Sequence, residues 1–308
     1  MFVKKYVKEK IREFLIPRGK LVVFTFHQAS PDFDEKLNSK YIWTSIDFLE
    51  KQLDFIKTNY PITGLMEGVS NLRRGDTKET EVAITFDDGD ISVQKYIVPL
   101  LERIKVPATF FINTAYLNNA KPGYWFNIFS HIQANKDLTE TYLSKELTDI
   151  DLSLRNTSDP EYYRKNYLKI EKLGELLKDK IQFYISEDFL DEINPELFTI
   201  GLHGHEHQRF SMMTKEWQRN NLLENMNRLS RFKAYKPVFA IPFGKEHDWN
   251  LDTLEICREL KLEYAFSNGG YNTKTMSGIK RIPADGLEII KLISSLKPEQ
   301  KWAQRLTR

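Results

Sequence analysis

The sequence has one cysteine, no long hydrophobic run and almost no net charge, and each of these absences excludes a class of protein. One cysteine, Cys257, among 308 residues cannot form an internal disulfide framework or a cysteine-rich zinc site. No run of about 18 consecutive apolar residues is present, so no transmembrane helix is predicted. The 45 Lys and Arg residues nearly balance the 43 Asp and Glu residues, which argues against a dedicated nucleic-acid-binding domain.

The N-terminal segment 1–19 is basic and amphipathic, and it lacks the features of a secretory signal. Its apolar residues recur at helical spacing, with Lys and Arg between them. It has neither a continuous apolar core nor a small-residue cleavage site. We expect a helix docked on the domain, with peripheral contact to an anionic membrane surface as the alternative. The expected location is the cytoplasm, with a membrane-peripheral position left open.

Short apolar runs alternate with amphipathic patterns, which predicts an α/β fold. Runs typical of buried strands occupy 20–26, 81–86, 108–113, 197–202, 237–243, 264–268 and 280–284. Helical patterns occupy 45–58, 91–104, 215–232 and 250–260. This alternation implies parallel pairing, and about seven units favour an incomplete or distorted barrel over an open sheet. The charged, helical pattern of 117–196 is interpreted as an insertion between the third and fourth strands of one domain spanning 1–308.

Polar residues with catalytic potential follow the predicted strands, where barrel enzymes place their active sites. These residues are His27, the pair Asp87-Asp88 before Gly89, and the segment His203-Gly204-His205-Glu206-His207. In a helix His203 and His207 would face one ion, whereas in an extended strand His203 and His205 would share a face. Two histidines and one aspartate are a usual ligand set for a catalytic divalent metal. Adjacent carboxylates point to different sides, so one can bind metal while the other acts as a base.

Four motifs in this order resemble a known family. The segments VAITFDDG, VPATFFI, IGLHGHEH and AIPFG are similar to motifs of the polysaccharide deacetylases of carbohydrate esterase family 4, over roughly residues 20–290. The resemblance implies a distorted (β/α)7 barrel in which Asp87 is the general base. It also implies that Asp88, His203 and His207 bind one divalent metal ion, with zinc preferred over cobalt, nickel, manganese or iron. The backbone amide of Phe243 would help to stabilise the oxyanion.

Two positions depart from the family pattern. Many members carry an arginine that orients the base two residues before the proline of the AIPFG motif, and Ala240 occupies that position here. Many also carry a C-terminal Leu-x-Leu-His that supplies the general acid, whereas the last histidine of this chain is His247. A subgroup similar to exopolysaccharide deacetylases places the acid on an early strand, and Thr25-Phe26-His27 fits that arrangement. We therefore assign the acid to His27, across the metal pocket from Asp87, with a buried structural histidine as the alternative.

The leading hypothesis is metal-dependent N-deacetylation of an N-acetylated carbohydrate, in surface-polysaccharide biosynthesis. Trp125, with its neighbours Tyr124 and Phe126, would stack on a sugar ring or belong to the core of the insertion. The alternatives are a catalytically inactive glycan-binding barrel and a metal-dependent amidohydrolase that acts on a non-sugar amide. All the expected metal ligands are present, which favours the enzyme over the inactive barrel.

Overall fold

A parallel β-sheet that nearly closes into a barrel organises the chain. The computed structural model describes residues 19–34, 42–121 and 182–286. The strands are β1 (Leu21–Phe26), β2 (Gln28–Ser30), β3 (Trp43–Ser45), β4 (Glu81–Phe86), β5 (Ala108–Ile112), β6 (Phe198–Leu202), β7 (Tyr235–Ala240), β8 (Glu263–Phe266), β9 (Ile279–Lys280) and β10 (Ile282–Pro283). The main sheet has the order β10-β1-β4-β5-β6-β7-β8-β9, and all its pairs are parallel. β2 and β3 form a separate parallel pair.

The sheet closes through one interrupted strand. β9 pairs with β8, β10 pairs with β1, and only Arg281 separates β9 from β10. With β9 and β10 counted as one strand, the described part of the chain forms a distorted seven-stranded barrel. The predicted fold class is thereby confirmed, and each predicted strand overlaps an observed one.

Helices cover the outside of the sheet and one end of the barrel. They are α1 (Ile46–Asn59), α2 (Leu65–Arg74), α3 (Val98–Ile104), α4 (Glu187–Glu192), α5 (Lys215–Leu229) and α6 (Leu251–Glu259). The helix predicted over 91–104 consists of a π-helical turn, Val93–Ile97, followed by α3. Pro99 lies in the first turn of α3, where the N–H that it lacks would have no partner in the helix. The sequence patterns did not predict α2, β2 or β3.

Two apolar layers lie on opposite faces of the strands. The larger cluster lies between the sheet and its outer helices. The smaller one alternates with it along the strands and includes Val23, Ala83, Phe111 and Val238, so it fills the barrel interior. Helix α2 belongs to this inner cluster and covers the end of the barrel opposite the carboxyl ends of the strands. Position 201 requires glycine, because a Cβ there would lie 2.7 Å from the Phe111 ring.

Residues 1–18 and 122–181 lie outside the described residues, so the N-terminal helix and most of the predicted insertion stay predictions. The described ends of the insertion meet beside Gly89, since Ile185 N donates to Gly89 O at 3.1 Å. Asn119 Oδ1 accepts from Phe183 N at 3.0 Å and joins the two ends. Among the helices of the described ranges, none has the length and apolar character that a bilayer crossing requires.

Candidate active site

His27 and Asp87 lie side by side at the carboxyl ends of two neighbouring strands. β1 and β4 pair in register, with Phe26 opposite Phe86, so the next residue of each strand reaches the same point of the rim. His27 Nε2 lies 4.0 Å from Asp87 Oδ2. The expectation that these side chains lie across the pocket from each other is wrong, because in-register parallel strands place them next to each other.

Arg281 holds the Asp87 carboxylate from inside the barrel. Its Nη1 donates to Asp87 Oδ1 at 2.6 Å and its Nη2 donates to Oδ2 at 2.8 Å, which makes a bidentate pair. Arg281 is fully buried, and its guanidinium also contacts Thr25 Oγ1 at 3.1 Å and lies 5.1 Å from the Phe111 ring centroid. Desolvation alone would raise the pKa of Asp87, but Arg281 and His203 hold that pKa below its ordinary value. Asp87 is therefore anionic at neutral pH and fixed in orientation.

Asp285 holds the imidazole of His27. Its Oδ2 lies 2.7 Å from His27 Nδ1, and its Oδ1 accepts from His27 N at 2.8 Å. Desolvation alone would lower the pKa of His27, but Asp285, followed by Asp88 and Asp87, raises it to about 10. His27 is therefore a cation at neutral pH. Its Nδ1–H donates to Asp285, and its Nε2–H is the proton nearest Asp87.

Asp88, His203 and His207 converge on one point beside this pair. Asp88 Oδ1 lies 3.3 Å from His203 Nε2 and 3.4 Å from His207 Nε2. One ligand atom from each residue lies within 4.8 Å of the other two, and no other group of this kind occurs in the described residues. Both histidines are buried, whereas Asp88 is partly exposed.

The three side chains fit a divalent cation. His203 Nδ1 donates to Ala240 O at 2.8 Å, which leaves the lone pair of Nε2 for a ligand. Desolvation lowers the pKa of His207 to about 4, so its ring is neutral. Asp88 Oδ1 is buried and makes no hydrogen bond to the described residues. Two imidazoles and one carboxylate are a usual donor set of zinc and similar divalent ions at catalytic sites.

The two histidines reach this cluster from a loop and not from a helix. The residues between β6 and the 3₁₀ turn Phe210–Met212 have no helical structure, and Gly204 has a φ of +80°. The prediction that a helix brings His203 and His207 to one ion is therefore wrong, although both side chains do reach one point. His205, the alternative partner, is engaged elsewhere, because its Nδ1 lies 2.9 Å from Thr114 Oγ1.

Two residues of the site have a left-handed backbone conformation. Asp88 has a φ of +75° and Phe243 a φ of +61°, and such conformations cost about 1–3 kcal/mol each unless surrounding contacts hold them. The Phe243 ring lies 4.7 Å from the His207 ring and 5.5 Å from the Arg209 guanidinium. Arg209 in turn forms an ion pair with the buried Asp248, with Nε 2.8 Å from Oδ1. These contacts hold the loop around Phe243 against the side chains of Asp88, His203 and His207.

Sequence reasoning missed Arg281 and Asp285, although both lie in or next to the predicted strand 280–284. An arginine inside a predicted buried strand was the available signal, because a buried cation requires a partner. Arg281 supplies the cation beside Asp87 that Ala240 cannot. Trp125 lies outside the described residues, so its proposed stacking on a sugar stays a prediction.

Comparisons with known proteins agree with this geometry. A family model described as Polysaccharide deacetylase matches residues 74–265. The structure of Streptococcus pyogenes deacetylase PplD in complex with acetate aligns with TM-score 0.61 at 14% identity, over 92% of this chain and 100% of its own. IcaB from Ammonifex degensii aligns with TM-score 0.56 at 16% identity, over 90% of this chain and 96% of its own. A de-N-acetylase from Aggregatibacter actinomycetemcomitans aligns with TM-score 0.60 at 15% identity, over 89% of this chain and 99% of its own.

At these identities the likeness to solved structures concerns the fold alone. A comparison with curated proteins finds no match. The family model is the stronger finding, since it spans more than half of the 308 residues. The chain belongs to the polysaccharide deacetylase family.

Proposed function

We propose that this chain is a metal-dependent hydrolase that removes the acetyl group from an N-acetylated sugar. One observation carries the proposal: an anionic Asp87 and a cationic His27 lie together beside the Asp88-His203-His207 cluster. Hydrolysis of an unreactive amide requires a base for water, a site for the oxyanion and an acid for the leaving amine. This constellation can supply all three.

Asp88, His203 and His207 would hold the metal. A divalent cation at such a site lowers the pKa of water and polarises a carbonyl. Zinc is the ion that we propose, with cobalt, nickel, manganese and iron as alternatives, because the donor set suits all of them.

Asp87 is proposed as the general base. Arg281 engages both carboxylate oxygens and keeps the group ionised. Asp87 Oδ2 lies 3.9 Å from His203 Nε2 and 4.0 Å from His27 Nε2. This oxygen therefore faces both the proposed metal ligands and the proposed acid. A carboxylate in this position can accept a proton from attacking water without itself being a metal ligand.

His27 is proposed as the general acid, as in the subgroup with an acid histidine on an early strand. An amide anion cannot leave, so the amine nitrogen has to be protonated as the C–N bond breaks. The raised pKa of His27, about 10, keeps a proton on Nε2 at neutral pH. Asp285 fixes the ring through Nδ1 and thereby orients Nε2 toward the reacting atoms.

The backbone amide of Phe243 is proposed as an oxyanion donor. The left-handed conformation of Phe243 and the contact of its ring with His207 support this role, since the loop is held next to the cluster. Preorganised donors of this kind typically contribute about 10²–10³-fold in kcat.

Acetate release measures the proposed activity directly. The metal-free protein is reloaded with zinc and incubated with N-acetylated monosaccharides, their oligomers and N-acetylated peptides. We expect zinc-dependent acetate release from a sugar and none from the metal-free protein. Zinc binding without acetate release from any compound would favour the inactive glycan-binding barrel, and release from peptides alone would favour the non-sugar amidohydrolase.

The acid role is tested by comparing two leaving groups. His27→Ala should slow amide hydrolysis by about 10²–10⁴-fold and should leave hydrolysis of p-nitrophenyl acetate nearly unchanged, because p-nitrophenolate leaves without a proton. Zinc content serves as the control. Equal losses on both substrates would contradict the assignment of the acid to His27.

The proposal for pathway and location is based on the basic amphipathic character of segment 1–19. We propose a role in surface-polysaccharide biosynthesis, at a cytoplasmic position with peripheral membrane contact. Cosedimentation of the full chain with anionic and neutral vesicles tests the membrane contact. Binding only to anionic vesicles would support it, and no binding to either would overturn it.

A further inference from the structure

Helix α5 buries two asparagines on the face that meets the barrel. Asn221 is 6% exposed and Asn225 is fully buried. Asparagine is a poor helix former, and a buried amide destabilises a fold unless its hydrogen bonds are made. Two such residues at i and i+4 on a core-facing helix surface therefore call for a specific set of partners.

Asn225 links the first metal-binding histidine to the neighbouring strand. Its Oδ1 accepts from His203 N at 3.1 Å. Its Nδ2 donates to Ile112 O at 3.1 Å and to Thr114 Oγ1 at 3.0 Å. One side chain thus connects the end of β6, the end of β5 and helix α5.

Asn221 continues this contact along the histidine loop. Its Oδ1 accepts from His205 N at 2.8 Å. Between the two bonded amides lies Gly204, with a φ of +80°, and a Cβ at Gly204 would lie 3.0 Å from Asn221 Oδ1. From the opposite side Asn113 Nδ2 donates to His203 O at 2.5 Å and to Gly204 O at 3.1 Å. The backbone of 203–205 is therefore held by side chains on both sides.

These side-chain bonds add to the few backbone bonds of a loop that has no regular secondary structure. In a helix or strand a regular ladder would fix the directions of His203 and His207, whereas among the described residues backbone bonds tie this loop to the neighbouring segment only from His203 N to Ile112 O, at 3.2 Å, and from Ala115 N to His205 O, at 2.9 Å. We propose that Asn221 and Asn225 are positioning residues that hold the loop so that both imidazoles point at Asp88 before the metal arrives. The inference rests on the metal site of the proposed function and concerns metal affinity, not turnover.

The experiment compares buried and exposed asparagines of the same helix. Asn221→Leu and Asn225→Leu remove the bonds to the loop, while Asn220→Leu and Asn227→Leu make the same change at exposed positions. The dissociation constant for zinc is measured by competition with a chromophoric chelator, without substrate. We expect about 10–100-fold weaker binding for the two buried variants, the usual effect of removing a group that orients a metal ligand, and wild-type binding for the two exposed ones.

A conservative variant separates positioning from general destabilisation. Asn221→Asp keeps the acceptor for His205 N and should retain zinc affinity, whereas Asn221→Leu should lose it. The melting temperature of each metal-free variant shows that binding is measured on folded protein. If Asn225→Leu does not fold, the three Asn220 and Asn221 variants decide the question.

Two results would overturn the inference. One is a lowered melting temperature of the metal-free Asn221→Leu variant with unchanged zinc affinity, and the other is a wild-type protein that binds no zinc. Failure of the proposed function gives a different result, namely zinc binding that responds to these variants without acetate release from any compound.

Discussion

Replacing Asp285 by asparagine should change the protonation of His27 while preserving the shape of the site. The amide Oδ1 can still accept from His27 N, a bond of 2.8 Å in the wild type. The charge-assisted contact to His27 Nδ1, at 2.7 Å, is lost. Charge-assisted hydrogen bonds contribute about 1.5–3 kcal/mol, and one pKa unit corresponds to about 1.4 kcal/mol. The variant should therefore lower the pKa of His27 by about 1–2 units.

The sign of the kinetic effect follows from the role of His27. The acid has to be protonated, so the rate falls as the pH rises through the pKa of His27. In the wild type Asp285 raises that pKa toward about 10. In Asp285→Asn the alkaline limb of the kcat/KM profile should move to lower pH by the same amount, about 1–2 units. The acidic limb, which reflects Asp87, should move much less.

Two measurements check this expectation. The pH profile of kcat/KM for amide hydrolysis gives the alkaline limb, and NMR titration of the His27 ring in the metal-free protein gives its pKa directly. Asp76→Asn, in a surface pair with Arg74, serves as a matched control. An unchanged alkaline limb together with a lowered pKa of His27 would refute His27 as the acid. An unchanged pKa of His27 would refute the role assigned to Asp285.

Four further substitutions test the proposed base and the proposed metal ligands. Arg281→Met leaves Asp87 buried without its partner, so unfolding by denaturant should show a loss of about 3–5 kcal/mol, and the acidic limb should move to higher pH as the pKa of Asp87 rises. Asp87→Asn should retain zinc by elemental analysis and lose about 10²–10⁴-fold in kcat; near-normal turnover would remove Asp87 as the base. His207→Ala should lose zinc while His205→Ala keeps it, because His205 contacts Thr114 and not the cluster; the reverse result would exchange their roles.

The strands of the barrel could be predicted because each one carries a local signal. Runs rich in Val, Ile and Phe mark buried strands, and their carboxyl ends identified His27, Asp87, Asp88 and the histidine segment as neighbours. The weakest signals were the shortest elements, β9 and β10, because two-residue strands have no periodicity of their own. Helix α2 was missed because its apolar face meets the barrel interior in only a few positions, Leu65, Val69 and Leu72 among them.

The contacts that set the charges of the site could not be predicted from spacing. Arg281 lies 194 residues from Asp87, and Asp285 lies 258 residues from His27. Only closure of the barrel brings the last strand next to the first two. Histidine, aspartate and their positions at strand ends were visible in the sequence, whereas the partners that fix their protonation depend on the three-dimensional fold.

Ala240 and Arg281 show how a missing family residue can be replaced from another strand. Ala240 belongs to the inner apolar cluster of the barrel, together with Phe111. The guanidinium of Arg281 occupies the same interior, 5.1 Å from the Phe111 ring, and it reaches Asp87 from there. A long cation at position 240 would compete for this space and place a second buried charge beside the first, which is costly without a second partner. The small side chain of Ala240 therefore leaves space for the guanidinium of Arg281, which keeps Asp87 fixed and ionised.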